Sequence, residues 1–326
     1  MTAVADKVKL SISIVHHRGR EMLRDCLNSI FDNAPNFEFE VLVVDNVSND
    51  GAVEMLEASY PQVVLIKNAE RHGFGQNQNI GIQHCHGQYI LVLNDDTVLH
   101  GKALELMCNF LDENTDTAVV GPKLLNVDGS LQISCYRFPT PLRYVLDNFL
   151  LSTLFPHSTI FGDYRQWAYD EVRVVDSVMG AAMLVRKSAI DRVGGFDEQF
   201  FMYFEEIDWQ MRMHRAGLKS VFLPHAQITH LGGGSTPTNP GSEAKHFSEF
   251  QISSVKFTKK YFGLAGMTIH AIAIVSGSLL SILIWSGINL ISPAQRDLAT
   301  RQVQRSKRIL GWWTGASSHA SLSSEF

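Results

Sequence analysis

Two adjacent acids, Asp95 and Asp96, directly follow the apolar run Tyr89–Leu93 and are placed for metal chemistry. Buried strands of a parallel sheet have such apolar runs, and ligands of an open α/β sheet bind at the carboxyl ends of its strands. Neighbouring carboxylates repel each other unless a cation lies between them. The pair therefore predicts a divalent metal site that also holds a phosphate-bearing substrate, and a strand followed by an acidic turn is the alternative.

A second group of acids, Glu205, Glu206 and Asp208, follows the aromatic stretch Phe200–Phe204 at the start of a predicted helix that ends before Gly217. Acids at a helix N-terminus are favourable on electrostatic grounds, which explains one or two of them. It does not explain the aromatic residues before them. Apolar surroundings raise the pKa of a carboxylate and suit it to proton abstraction, so this group predicts a general base.

Three further residues stand where a ligand could reach them. Asp45 follows the predicted strand Glu40–Val44, and its carboxylate can accept a hydrogen bond from a base N–H or a ribose hydroxyl, or hold a metal. His230 ends a short predicted strand before the glycine loop Gly232–Ser235, where a metal or phosphate ligand is more plausible than for a lone histidine elsewhere. Gly180 interrupts an apolar run, and a small residue there lets a ligand or another backbone approach closely.

Strands and helices alternate along the first part of the chain, which predicts a doubly wound, mainly parallel sheet with flanking helices. The predicted strands are Leu10–Val15, Glu40–Val44, Val63–Ile66, Tyr89–Leu93 and Ala118–Gly121. The predicted helices are Glu21–Asn33, a short one to Ser59, one from Gly73 to His84, and Lys102–Glu113. A hairpin is expected at Asp128-Gly129. The aromatic-rich stretch Pro139–Asp170 is predicted to be an irregular, specificity-shaping loop region.

Composition and missing motifs exclude several classes of protein. The net charge of -5 gives no indication of nucleic-acid binding. No Gly-x-Gly-x-x-Gly follows the first strand and no P-loop occurs, so dehydrogenases and P-loop enzymes are disfavoured. Four cysteines without Cys-x-x-Cys spacing predict packed, reduced thiols of a cytosolic protein. The run His84-Cys85-His86 is a poor metal site, because sequence neighbours rarely face one ion together.

The segment Leu264–Ile291 contains no Asp, Glu, Lys or Arg and exceeds the roughly 20 apolar residues that a membrane-spanning helix needs. Serine and glycine residues lower the apolar content of this segment, and a buried core helix is the alternative. Basic residues flank it on both sides: Lys256, Lys259, Lys260, Arg296, Arg301, Arg305, Lys307 and Arg308. Since basic residues favour the cytoplasmic side, we expect association with the cytoplasmic face of the cell membrane. A hairpin or an interfacial helix held by Trp285 and Trp312 is favoured, and a single span stays open.

These observations predict four regions. Residues 1–240 are expected to form the ligand-binding and catalytic domain, and residues 241–263 a helical linker. Residues 264–291 are the C-terminal apolar, membrane-associated segment. Residues 292–326 are expected to form a basic, flexible tail.

Several motifs between residues 9 and 235 occur in an order that resembles a known family. They are Ser11–His16, Val43–Gly51, Asn68 with Gly73–Gly81, Leu93–Thr97, Gly180–Ala182 with Arg186, Gly194–Glu198, Tyr203–Asp208, and His230 with Ser235. Each motif is weak alone, but their combination and order are specific. The sequence resembles the family 2 glycosyltransferases of GT-A fold, and most closely their rhamnosyltransferase-like branch.

The resemblance implies a role for each matching residue. It implies a nucleotide-sugar donor, a dTDP- or UDP-sugar, bound by His16, Asp45, Asn46, Ser48, Asn79, Asp95 and Gly180, with Asp45 on the base. It implies Mg²⁺ or Mn²⁺ at Asp96 and His230. It places the general base at Glu206, with Glu205 and Asp208 as rival candidates. Two positions depart from the family pattern: Asn94 replaces the first motif acid, and Glu206 replaces the usual Asp.

The implied reaction is a single displacement that inverts the anomeric centre. The expected activity moves a sugar, rhamnose or similar, to a hydroxyl of a cell-envelope saccharide or a lipid-linked acceptor. A nucleotidylyltransferase is an alternative, but it needs a glycine-rich loop with Lys or Arg where this chain has His16–Arg20. A non-catalytic nucleotide-sugar-binding protein is another, and it would not need the acids of Glu205–Asp208.

Overall fold

The computed structural model describes residues 8–158, 161–232 and 240–315, which cluster into two compact units. One, the sheet unit, comprises Met1–Phe138 and Trp167–Ser253. The other, the helical unit, comprises Pro139–Gln166 and Ser254–Phe326. Residues 233–235 of the predicted glycine loop, Ser235 included, lie outside the described residues.

The sheet unit is built on a mixed sheet whose first strands are all parallel. Its strands are β1 Leu10–His16, β2 Phe39–Asp45, β3 Val64–Lys67, β4 Tyr89–Asn94, β5 Thr97–His100, β6 Thr117–Leu125, β7 Cys135–Tyr136, β8 Arg173–Val175, β9 Ser177–Val178, β10 Ala182–Arg186 and β11 Lys219–His230. Among the described residues the sheet order is β3-β2-β1-β4-β10-β6-β11-β5, with β8 beside β11 and β7 paired to β9 separately. The predicted mainly parallel α/β sheet is confirmed, and β10 enters it antiparallel to both neighbours.

Ten α-helices occur among the described residues. They are α1 Arg20–Asp32, α2 Ala52–Ser59, α3 Phe74–Gln83, α4 Ala103–Glu113, α5 Pro141–Asn148, α6 Leu151–Leu154, α7 Lys187–Val193, α8 Glu205–Arg215, α9 Pro240–Ile291 and α10 Arg296–Trp313. Helix α1 buries Leu23, Leu27 and Ile30, which recur at helical spacing on one face. These side chains join the interiors of β1, β2 and β4 in one apolar core.

Two strands differ from the predictions. Strand β5 was not predicted, because four residues after an acidic turn show no clear alternation. Strand β11 is much longer than the short strand predicted before His230, since an irregularity between Leu223 and Gln227 breaks its pattern. The hairpin at Asp128-Gly129 forms as predicted, with Asn126 N–H donating to the Ser130 carbonyl.

The regions outside the sheet also differ. The stretch predicted as irregular contains α5, whose start is fixed by the Thr140 hydroxyl, which accepts from the Arg143 N–H, and by Pro141 in the first turn. The tail predicted to be flexible contains α10, because apolar residues recur along one face of that segment. Residues 241–253 of the predicted linker cluster with the sheet unit, so the unit extends past residue 240.

Helix α9 contains the apolar segment and is interrupted at Gly263, whose φ of 62° is in the left-handed region that glycine tolerates. By length and composition it could cross a membrane. All four cysteines are free and buried, as predicted, and burial raises the pKa of Cys26 to about 12.

Candidate active site

The carboxyl ends of β1, β2 and β4 bring most of the predicted site residues to one edge of the sheet. In the parallel register His16 pairs with Asp45, and Val15 pairs with Asn94. Asp95 and Asp96 therefore leave the sheet beside the end of β1. Both acids form the short turn between β4 and β5 and are almost fully buried, at 5% and 3% exposure, so the two flanking strands hold them in place.

His16 joins two carboxylates and is itself fully buried. Its Nδ1 lies 2.6 Å from Asp95 Oδ2, and its Nε2 lies 3.3 Å from Asp50 Oδ2. Asp50 also accepts from the backbone N–H groups of Gly19 and Arg20, at 2.8 and 2.9 Å. Burial alone would lower the pKa of His16, but the hydrogen bond to Asp95 and the charges of both carboxylates outweigh it and raise that pKa. His16 thus fixes the orientation of Asp95.

Asp96 and His230, the predicted metal ligands, lie together. His230 Nε2 is 3.3 Å from Asp96 Oδ1. The other ring nitrogen, Nδ1, is 2.7 Å from Gln132 Oε1, and that contact holds the ring in place. An acid and an oriented imidazole suit Mg²⁺ or Mn²⁺, which take several further ligands from water and substrate phosphate. In the described part of the chain no cluster of three or more His, Cys, Asp or Glu groups could hold a metal by itself.

Four buried carboxylate oxygens at predicted site positions accept no hydrogen bond among the described residues: Asp45 Oδ1, Glu205 Oε2, Glu206 Oε2 and Asp96 Oδ1, which has only the ion-pair contact with His230 at 3.3 Å. Buried polar atoms in native proteins are nearly always paired, so such atoms mark places where a ligand, ion or proton belongs. These four atoms belong to the residues predicted to bind the nucleobase, to bind the metal and to act as the general base. This coincidence is the main structural support for the predicted site.

Asn46 and Asn79, predicted to contact the donor, each hold a loop in place. The Asn46 amide donates to the His72 carbonyl at 3.0 Å and accepts from the His72 N–H at 2.9 Å. The Asn79 amide accepts from the Phe196 N–H at 2.7 Å and donates to the Phe196 carbonyl at 2.9 Å. Since both polar atoms of each amide are used within the protein, these contacts favour positioning roles. Ser48 reaches Asp45 only through its backbone N–H, at 3.4 Å.

Gly180 connects the general-base candidates with the acids of β4. A Cβ atom added to Gly180 would lie 3.4 Å from Cβ of Glu206. The next residue, Ala181, accepts at its carbonyl from the Asn94 N–H at 2.9 Å. Glu206 is therefore one residue away from the backbone that contacts the end of β4, and the glycine leaves room for a ligand beside it.

The turn that carries Glu205 and Glu206 is strained. Tyr203 and Phe204 both have left-handed φ angles, 67° and 68°, which cost non-glycine residues about 1–3 kcal/mol each. Contacts with the first part of α9 hold them: the Tyr203 hydroxyl lies 3.0 Å from His246 Nδ1, and the ring centroids of Phe204 and Phe250 are 5.3 Å apart. The sequence gives no glycine signal for this turn, so it was not predicted.

Burial raises the pKa of both glutamates. For Glu205 the charge of Glu206 adds to burial, and its pKa is raised well above the ordinary value. Glu206 is half-buried, and its pKa is raised by burial. Two close carboxylates cannot both ionise easily, so the pair keeps one proton to a pH above the ordinary carboxylate range.

Asp208, the third candidate, is fully buried and accepts from Arg212 Nε at 2.9 Å. The guanidinium also donates to the carbonyls of Val193 and Gly195, at 2.6 and 2.5 Å. An acid held in such an ion pair orients a loop, and a base must be free to accept a proton. The contact favours Glu206 and Glu205 over Asp208.

A cavity of about 490 Å³ opens beside Asp50. Its lining is His17, Arg18, Gly19, Val47, Asn49, Asp50 and Arg71. Arg71 contacts the His17 ring, and burial together with the Arg71 charge lowers the pKa of His17. Two arginines and a histidine suit an anion such as phosphate. Arg18, Arg71 and His17 were not predicted as site residues, although they lie in the loops after β1 and before α3.

Comparison with known proteins identifies related sequences. The family model described as "Glycosyl transferase family 2" matches residues 11–190, more than half of the chain. N-acetylglucosaminyl-diphospho-decaprenol L-rhamnosyltransferase of Mycobacterium tuberculosis is 29% identical over 224 residues, covering 64% of this chain and 73% of that protein. Rhamnosyltransferase WbbL of Escherichia coli K12 is 27% identical over 234 residues, covering 67% and 82%.

Solved structures resemble the chain in fold. The mannosyltransferase PcManGT from Pyrobaculum calidifontis, solved with GDP-Man and Mn²⁺, has a TM-score of 0.54 at 13% identity and covers 95% of this chain and 87% of its own. GalNAc-T7, solved with UDP, GalNAc and Mn²⁺, has a TM-score of 0.54 at 13% identity, covering 78% and 52%. At such low identity the likeness shows the shared fold alone.

Proposed function

Because the chain belongs to glycosyl transferase family 2, we propose that it moves a sugar, rhamnose or similar, from a dTDP- or UDP-sugar to an acceptor hydroxyl with inversion. The acceptor is a cell-envelope saccharide or a lipid-linked sugar, the class named for the mycobacterial relative. The fold is of the GT-A type, as the sequence predicted. The observation that carries the proposal is the set of unpaired buried oxygens on Asp45, Asp96, Glu205 and Glu206.

The donor nucleotide occupies the cavity beside Asp50. Asp45 Oδ1, buried and unpaired within the described chain, accepts from a base N–H. Arg18, Arg71 and His17 line the cavity; the two arginines neutralise phosphate charge, and the neutral His17 ring can offer a hydrogen bond. Asp95 is oriented by His16 toward the sugar-binding side, while Asn46 and Asn79 hold the surrounding loops.

Asp96 and His230 would hold Mg²⁺ or Mn²⁺ against the donor diphosphate. When bound, the cation supplies charge neutralisation for the leaving group. Mn²⁺ is present in the PcManGT and GalNAc-T7 structures, which supports divalent-metal use here. Gln132 keeps the His230 ring oriented so that Nε2 faces Asp96.

Glu206 takes a proton from the acceptor hydroxyl at its buried Oε2 atom. The hydroxyl oxygen then attacks the anomeric carbon from the face opposite the leaving diphosphate, so the configuration inverts. Gly180 leaves space beside Glu206 for the acceptor. Burial raises the pKa of both Glu205 and Glu206, so the pair keeps a single negative charge while Glu206 acts.

We propose that the apolar segment 264–291 associates with the cytoplasmic face of a membrane, where lipid-linked acceptors are reached. The support is the length and composition of α9. Residues such as Leu264, Leu283 and Leu290 are 74%, 72% and 82% exposed, which is unusual for a soluble core helix.

A donor screen tests the proposal. Purified protein with Mn²⁺ is scanned by thermal shift against UDP-, dTDP- and GDP-sugars, and each donor that stabilises it is then assayed for hydrolysis and for transfer to saccharide acceptors. We expect a UDP- or dTDP-sugar to raise the Tm and to be turned over. Stabilisation without any turnover would indicate a binding protein, and release of pyrophosphate from a nucleoside triphosphate with a sugar phosphate would indicate a nucleotidylyltransferase.

A further inference from the structure

The apolar segment of α9 packs on α5 along one side. The ring of Tyr144 stacks on His270 with centroids 3.5 Å apart. A Cβ atom on Gly277 would lie only 2.6 Å from Cβ of Asn148, so this glycine allows α5 to approach closely. His270, the only titratable residue of the segment, is fully buried there.

Helix α10 returns along α9 in the opposite direction. Three contacts join the two helices: Arg296 Nε to the Asn289 carbonyl at 3.4 Å, Ser306 Oγ to Ser281 Oγ at 2.9 Å, and the ring of Trp313 to that of His270 at 4.8 Å between centroids. As residue numbers rise along α10, their partners on α9 fall. The two helices therefore form an antiparallel hairpin that turns near Pro293–Gln295 and is paired over most of the length of α10.

Some of the small and polar residues of the apolar segment lie on its packed side. Gly277 and Ser278 are buried, and Ser281 bonds to α10. The exposed side carries an apolar stripe, Ile272, Leu279, Leu283 and Leu290, which are 62%, 53%, 72% and 82% exposed. Their spacing of 7, 4 and 7 residues puts them on one helix face. Four large aliphatic side chains therefore form one exposed apolar face, which the half-buried Ser276 shares.

Helix α10 has its own two faces. Ala299 and Ser306 are buried on the packed side. A basic stripe of three exposed residues, Arg301, Arg305 and Arg308, follows at helical spacing of 4 and 3 residues on the opposite side. Such a stripe complements the negative charge of anionic headgroups.

We infer that the α9–α10 hairpin lies flat in the interface of an anionic phospholipid bilayer, with the apolar stripe among the acyl chains and the basic stripe among the headgroups. This inference rests on the membrane location proposed above. It adds the class of lipid that the hairpin contacts and the orientation of the hairpin in the bilayer. A span by α9 is disfavoured, because α10 pairs with it over about 27 Å and would take its arginines into a hydrocarbon core about 30 Å thick.

Vesicle flotation of the full-length protein tests the lipid class. The probes are vesicles of phosphatidylcholine alone and of phosphatidylcholine with about a third phosphatidylglycerol. We expect the triple variant Arg301→Gln, Arg305→Gln, Arg308→Gln to bind the anionic vesicles on the order of a hundredfold more weakly, from about fivefold per arginine. The matched control is Lys67→Gln, Lys102→Gln, Lys219→Gln, which removes the same charge from the surface of the sheet unit and should bind as the wild type does.

A second variant, Leu279→Gln with Leu283→Gln, should weaken binding to both kinds of vesicle, since it removes apolar contact and leaves the charge unchanged. Equal loss in the lysine control and the arginine variant would overturn the basic stripe as a lipid contact. Wild-type protein that floats with neither vesicle but forms a dimer, which Leu279→Gln with Leu283→Gln dissociates, would assign the apolar stripe to a second copy of the chain instead.

Cysteine labelling tests the topology. Because the four native cysteines are buried, Thr314→Cys, exposed just after α10, supplies the reactive thiol. A membrane-impermeant maleimide should label it only after cells are lysed, and labelling in intact cells would show a span and refute the flat hairpin. Transfer to a soluble acceptor is measured in parallel: if it persists while flotation fails, the membrane inference falls and the proposed glycosyl transfer stands.

Discussion

At the scale of single residues, the proposed proton transfer depends on the two glutamates at the start of α8. Glu206→Gln keeps the shape of the side chain but cannot accept a proton. General base catalysis typically contributes about 10²–10⁴-fold, so kcat should fall by that order while the donor Kd is unchanged. The exposed Glu113→Gln variant on α4 serves as the control. A larger loss in Glu205→Gln or Asp208→Asn would move the base to that residue.

Glu205 should make stability depend on pH. Its folded-state pKa is raised by burial and by the Glu206 charge, so its contribution to stability is present at pH below the ordinary carboxylate pKa and is lost as pH rises through the raised value. Glu205→Gln removes this dependence. The Tm of the Glu205→Gln variant should match that of the wild type near pH 4. At pH 8 it should be higher, by about 2–4 °C for each kcal/mol of folding stability that the wild type has lost. Thermal scans across that range measure the difference, and parallel Tm curves for the two proteins would contradict the prediction.

Asp96 should determine metal-dependent donor binding. Asp96→Asn preserves the volume but removes the charge that faces His230, and EDTA removes the cation from the wild type. Both treatments should abolish the effect of Mn²⁺ on the donor Kd and weaken binding by at least about tenfold. Titration calorimetry with and without Mn²⁺ provides the measurement, and Asp25→Asn, exposed on α1, is the matched control. Unchanged transfer in chelator would exclude the metal site.

At the scale of elements, the start of α3 packs against the turn that carries the base. The Phe74 N–H donates to the Phe201 carbonyl at 3.0 Å, and a Cβ on Gly73 would lie 2.5 Å from that oxygen. Gly73→Ala should therefore displace the turn, lowering kcat by tenfold or more and the stability by about 1–3 kcal/mol. Gly287→Ala, where no atom of the described chain lies within 4 Å, should be neutral. Equal kcat and equal stability of the two variants would show that the close contact between Gly73 and Phe201 does not affect function.

Most elements of the sheet unit were predictable because their signals are local. The apolar run of β4 and the spacing of Leu23, Leu27 and Ile30 on α1 depend only on neighbouring residues. The place of β10 between β4 and β6 was not predictable, since that antiparallel pairing joins strands far apart in sequence. The loop-holding role of Asn79 was missed for the same reason, because its partner Phe196 is 117 residues away.

At the scale of the whole molecule, the catalytic turn depends on a helix that the sequence assigned to a linker. Phe250, 46% exposed on the first part of α9, packs against Phe204. Phe250→Ala should free the strained turn, so kcat should fall several-fold while donor binding stays intact. Leu106→Ala, 38% exposed on α4, is the matched control. A kcat equal to that of the control would show that contacts other than the one with Phe250 keep Tyr203 and Phe204 in their strained conformations.

The same contacts set an order of events during synthesis. Every strand of the sheet has left the ribosome once residue 230 is exposed, and the acids of α8 precede that point. The partners of the turn, His246, Phe250 and Ser253, whose hydroxyl donates to the Met202 carbonyl at 2.8 Å, emerge only afterwards. A nascent chain can therefore complete the edge proposed to bind the nucleotide before the turn with the proposed proton acceptor is held in place. On the proposed function, the site is complete only when synthesis has reached the first part of α9.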